Sequence, residues 1–255
     1  MNDFILLFSI LLNTLYPYEL PFNFKSADNK NYPLYKTKYT YDIYWGILKV
    51  GSASIEINNV VEVSKNRFAY VIYSTAKSSP FVDKIFKVRD TNIGYLDVNL
   101  ERSYGYFKDI NEGRYSFTEY LYFDYEKSIY KGKKIKNGKT TEYEGKLDEN
   151  YFDVLSSLFL YSNLKEIPQK RLIKILTTRK WELEVINYGI VNLKIDKANI
   201  KAYKVEPKVG EEGIFVAKKG KSLYVYISKQ DRTPVMLEAE VFLGSVVAKL
   251  VKIER

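Results

Sequence analysis

From Lys38 onward apolar and polar residues mostly alternate, the period of a half-buried strand. Tyr39, Tyr41, Ile43, Trp45 and Ile47 share one face, and the alternation resumes at Ala53, Ile55 and Ile57 after a bend expected at Lys49-Val50-Gly51. Phe68, Tyr70 and Ile72 mark the next strand. Tyr115, Phe117, Leu121 and Phe123 mark another, with polar Glu119 interrupting its face. Asn137-Gly138, set among Lys133, Lys134, Lys136 and Lys139, reads as a hairpin tip. Toward the carboxyl end three strands are expected, carried by Leu223 to Ile227, Val235 to Leu243 and Val246 to Leu250. Turns at Gln230-Asp231-Arg232 and Gly244-Ser245 join them. The pattern predicts a mainly β chain: one large curved antiparallel sheet, a half-barrel or open barrel built as a meander.

One segment changes period. Around 148–162 the apolar residues of NYFDVLSSLFLY recur at helical spacing, and Asp148, Glu149 and Asp153 stand where acidic groups favour a helix start. This predicts a single helix packed on the sheet, with Ser156 and Ser157 as small residues permitting close approach. A shorter helical turn is expected around Ser79 to Phe86, with Pro80 just inside its start.

Phe4 to Leu15 form an apolar run of signal-peptide length, although the preceding residues carry Asp3 and no Lys or Arg. The expected organisation is a signal peptide over 1–20, an extended linker over 21–37 and one β domain over 38–255. The chain would then be periplasmic or otherwise exported, an uncleaved amino-terminal anchor being the alternative.

Composition narrows the chemistry. The 255 residues include no Cys and no His, which excludes disulfides, thiolate metal sites and any catalytic pair built on imidazole. No cofactor and no metal are expected. The 40 Lys and Arg against 31 Asp and Glu give a net charge of +9, but no nucleic-acid motif accompanies it. The partners that fit are a lipid, a glycan or another envelope component, with peripheral contact to an anionic membrane; a monomer is expected. Carboxylates remain the acid–base candidates. Asp90 and Asp97, in DTNIGYLD, are the first pair, the alternative being that they bond turn amides or pair with Arg89 or Arg102.

Aromatic residues occupy the second face of the strands as well: Tyr44, Tyr73, Tyr120, Tyr122, Tyr224, Tyr226 and Phe242. They either pack across strands on an exposed face or line an aromatic cleft for an apolar or glycan ligand.

Several segments in this order carry a family resemblance: YTYDIYWGILKVGSASIEI, IFKVRDTNIGYLD, NEGRYSFTEYLYFDYEK, the helix YFDVLSSLFLY, KVEPKVGEEGIF and the closing SLYVYISKQDRTPVMLEAEVFLGSVVAKL. From Tyr39 to Ile253 the chain resembles bacterial exported proteins of domain-of-unknown-function family 3108. The resemblance implies a secreted or periplasmic, predominantly antiparallel β protein and no established activity. Such curved sheets are also similar to the open half-barrels that carry lipoproteins between bacterial membranes. The leading expectation is an envelope protein, more a binder than an enzyme, holding an apolar or amphiphilic molecule or an envelope polymer in a cleft of the sheet. The alternatives are a carboxylate-dependent enzyme acting on envelope polysaccharide or lipid, and a structural envelope protein whose basic face grips anionic surfaces.

Overall fold

The computed structural model describes residues 22, 24–27, 32–196, 198–208, 222–241 and 243–255. The signal-peptide segment 1–20 and Phe242 lie outside the described residues. The 15 strands join one antiparallel sheet that does not close into a barrel. They are β1 (Lys25–Ser26), β2 (Thr37–Trp45), β3 (Leu48–Ser64), β4 (Arg67–Ser78), β5 (Arg89–Asp97), β6 (Ser103–Glu112), β7 (Tyr115–Asp124), β8 (Ile129–Lys136), β9 (Lys139–Lys146), β10 (Lys170–Leu176), β11 (Lys180–Ile195), β12 (Ala198–Pro207), β13 (Leu223–Ser228), β14 (Pro234–Glu240) and β15 (Ser245–Glu254). Among the described residues two helices accompany the sheet, α1 (Pro80–Asp83) and α2 (Val154–Ser162).

Sequence neighbours pair throughout β2–β9 and β10–β15, and β15 pairs with β2 to join the two runs. The free edges are therefore β9 and β10, which are consecutive in the chain. The segment between them ties the seam at one end. Leu147 N donates to Ser128 O, Ser103 N to Tyr151 O and Phe152 N to Lys174 O, at 2.9, 2.8 and 2.9 Å.

The sheet curls around α2. Leu155, Phe159, Leu160 and Tyr161 of the helix share one core with Tyr39, Tyr41, Ile57, Tyr70 and Ile72 from one run and Ile173, Ile175, Val205 and Ile227 from the other. Residues from both runs meet on the helix, so this is the inner face. Burying these side chains supplies most of the driving force, roughly 1.5–3 kcal/mol for each large apolar group. Ser156 and Ser157 are buried at the helix–sheet contact, as small residues should be.

Two local readings are corrected. The helix starts at Val154 rather than near Asp148, because residues 147–152 spend their backbone groups on the seam. Asp153 is its N-cap, accepting from Ser156 N at 2.9 Å. Asp148 and Glu149 pair instead with Lys180 and Lys174. The first hairpin turns at Gly46-Ile47, so Ile47 is a loop tip and not part of the strand face, while the bend expected at Lys49-Val50-Gly51 is a bulge that leaves Val50 unopposed between Lys49 and Gly51. The Asn137-Gly138 turn forms as expected, both residues at positive φ, 51° and 72°.

Candidate functional site

Asp90 and Asp97 sit at opposite ends of β5, and their odd spacing sends the side chains to opposite faces. Asp97 is buried, accepting from Asn99 N and from the Tyr104 hydroxyl, each at 2.8 Å. Asp90 accepts from Asn111 N at 2.9 Å and shares a hydrogen bond with Glu112. Burial raises the pKa of both Asp90 and Glu112, and their mutual repulsion raises that of Glu112 further. The expected acid–base pair is therefore not assembled. Among the described residues no group of three or more Asp or Glu is placed to hold a metal ion.

The second-face tyrosines lie on the outer face, because the main apolar faces turn inward to α2. They fall into separate groups. Tyr73, Tyr120 and Tyr122 gather around the chain's own Phe22 and Phe24. Phe22 stacks on Tyr95 with ring centroids 4.5 Å apart and lies 6.3 Å from Tyr120. Gly105, at φ 134°, makes the seat, since a Cβ there would come within 2.8 Å of the Phe22 ring. Tyr224 meets Tyr188 edge-on and carries Lys204 at 3.8 Å from its centroid. Tyr226 is buried and donates to Glu238 at 2.9 Å. Tyr44 stands apart, with Lys249 at 5.3 Å. Among the described residues these positions pack on the outer face in separate groups rather than around one cleft. A shallow open depression lined by Ile167, Gln169 and Ile186 to Gly189 contains none of them.

The inner face offers a different arrangement, one that emerges only from strand register. Ser74, Asn92, Lys108, Glu119, Lys134 and Thr141 stand directly opposite one another in a single row across β4–β9. Glu119 is buried in this row. The Tyr106 hydroxyl donates to its Oε1 at 2.5 Å, and Lys134 Nζ lies 3.0 Å from its Oε2. Burial works against the Lys134 ammonium, yet the adjacent Glu119 carboxylate outweighs it and raises the Lys134 pKa. Burial, reinforced by Glu119, pushes the Tyr106 phenol well up. Lys108 Nζ rests 4.7 Å from the Tyr106 ring centroid. Asn92 Oδ1 is buried with no hydrogen-bond partner, which ordinarily costs about 1–3 kcal/mol.

Beside this polar row the same face changes character. Leu237, Ala248 and Ile43 pair in turn across β14, β15 and β2, and Ala53 pairs with Ala76 across β3 and β4, all five half-buried; Ile43 itself faces Gly51, two residues along the same face from Ala53. Small apolar side chains at the sheet centre thus adjoin a cationic, hydrogen-bonding stretch on β5–β8. The single residue of this row that its own strand pattern exposes is Glu119, a polar break in an apolar face. The row itself had no sequence signal, since it depends on five cross-strand registers.

A family model described as protein of unknown function (DUF3108) matches residues 40–251. No curated protein matches the chain.

Proposed function

Since the chain belongs to the DUF3108 family, whose description carries no activity, we propose from the geometry that it is an exported envelope protein binding one amphiphilic molecule on the inner face of its sheet. The tail lies along the small apolar residues of β14, β15 and β2–β4. The head, carrying a hydrogen-bond donor and a negative charge, lies on the row of Asn92, Lys108 and Lys134. The observation that carries this reading is the buried, unpartnered Asn92 oxygen within a cationic row. A buried polar group without a partner is a standing cost that a bound donor removes. The apolar run Phe4 to Leu15 supports export.

A fluorescent long-chain hydroxy-carboxylate, whose hydroxyl supplies the donor and whose carboxylate supplies the charge, tests the reading. Saturable one-to-one binding, weakened by Lys108→Met, is expected. Absence of saturable binding, or binding indifferent to Lys108→Met, overturns it.

A further inference from the structure

Hairpin tips are ordinarily polar, and the two ends of the strands differ sharply in that respect. At one end the turns present Lys65-Asn66, Glu126-Lys127 and Lys229-Gln230. At the other, the β2–β3 tip presents Trp45, Ile47 and Leu48, with Ile47 95% exposed. The β4–β5 connection presents Phe81, Ile85 and Phe86, with Ile85 83% exposed. Tyr115 of the β6–β7 turn and Leu243 of the β14–β15 turn are exposed beside them.

These tips form one continuous rim. Trp45 Nε1 donates to Leu243 O at 2.7 Å. Ser79 N donates to Val50 O, and Gly113 N to Lys87 O, both at 2.8 Å. Gly113, at φ 60°, lets the Phe86 ring close over it, for a Cβ there would sit 2.7 Å from that ring. Lys136 Nζ lies 4.2 Å from the Tyr115 centroid. An exposed apolar surface of this extent on a folded domain marks an interaction site.

We propose that this rim inserts into the surface of an anionic phospholipid bilayer. The apolar tips project from separate turns, which suits a deformable apolar medium. Charge complementarity favours an anionic surface: Lys84, Lys87, Arg114 and Lys139 are exposed on the same connections. The acids there are already engaged, Asp83 by Arg89 at 2.5 Å and Glu112 by Asp90. Apolar tips with cations set just behind them match the boundary between acyl chains and anionic head groups. The inference stands independently of amphiphile binding on the inner face.

The full chain carries two tryptophans, Trp45 and Trp181, so Trp181→Phe leaves a sole tryptophan, on the rim. Vesicles of phosphatidylglycerol mixed with phosphatidylcholine should shift Trp45 emission to the blue, and lipids brominated in the acyl chain should quench it. Pure phosphatidylcholine vesicles should bind far less. Ile47→Ser combined with Ile85→Ser should lower partitioning at least about tenfold, and Lys84→Glu with Lys87→Glu should lower it and its salt sensitivity together. All four side chains are exposed, so these variants keep the fold. Unchanged emission and quenching with anionic vesicles, or partitioning indifferent to the isoleucines, overturns the proposal. So does sedimentation showing a dimer that the isoleucine variant dissociates, since a second copy would then cover the rim.

Discussion

Asn92 stands directly opposite Lys108 on neighbouring strands β5 and β6, and its side-chain oxygen is buried with no hydrogen-bond partner while its own residue is 6% exposed. An unpaired amide oxygen beside a cation is costly on its own and useful once a ligand donor arrives. Asn92→Val should therefore raise stability by up to about 1 kcal/mol while weakening binding of the hydroxy-carboxylate probe, whose hydroxyl loses its acceptor. Denaturant unfolding and probe titration read the two effects separately. Lower stability with intact binding would assign Asn92 to the fold alone.

The hydrogen bond from Tyr106 to Glu119 holds the floor of the same row. Tyr106→Phe removes a donor from a buried carboxylate and should cost about 1.5–3 kcal/mol, with Lys134 limiting the loss by its own ion pair. A thermal or denaturant midpoint unchanged from that of the natural chain would mean that Lys134 alone satisfies Glu119.

Asp153 caps α2 from a fully buried position and also accepts from Ser103 Oγ at 2.8 Å. Burial raises its pKa, so the carboxylate is held at a cost that an amide avoids. Asp153→Ala should destabilise by about 2 kcal/mol through the lost cap, whereas Asp153→Asn should fall within about 1 kcal/mol of the natural chain. Equal losses in both variants, measured by chemical denaturation, would show that charge rather than capping matters.

Asp90 and Glu112 give a pH signature. Their folded-state pKa values lie above the ordinary 3.8 and 4.5, so the folded chain holds a proton that the unfolded chain has released. The stabilisation they contribute is complete below those ordinary values and is lost as pH rises through the raised ones. Relative to Asp90→Asn, the natural chain should lose thermal stability as pH is raised from about 4 toward neutrality. A flat or rising difference would contradict the raised values.

Strand alternation carried the sheet itself: Tyr39, Tyr41, Ile55, Ile57, Tyr70 and Ile72 read as one face and form one core. The helix was visible through its spacing, but its start was not. Asp148 and Glu149 look like first-turn residues until the seam draws in the backbone of Tyr151 and Phe152, a contact with Ser103 and Lys174 that no local pattern encodes. Alternation puts Tyr73, Tyr120 and Tyr122 on a second face, yet the rings filling the space around them come from Phe22 and Phe24. The polar row stayed hidden because Asn92, Lys108, Glu119 and Lys134 are separated in sequence and meet only through register. Trp45 and Ile47 read as strand positions because alternation runs straight through a tip whose turn lies at Gly46-Ile47.

Native mass spectrometry of the chain purified from its own cells, beside its Asn92→Val variant, tests amphiphile binding on the inner face most directly. The natural chain should carry one amphiphilic molecule per protein, and the variant should carry markedly less. Bare protein in both, or equal loading of both, would contradict the account.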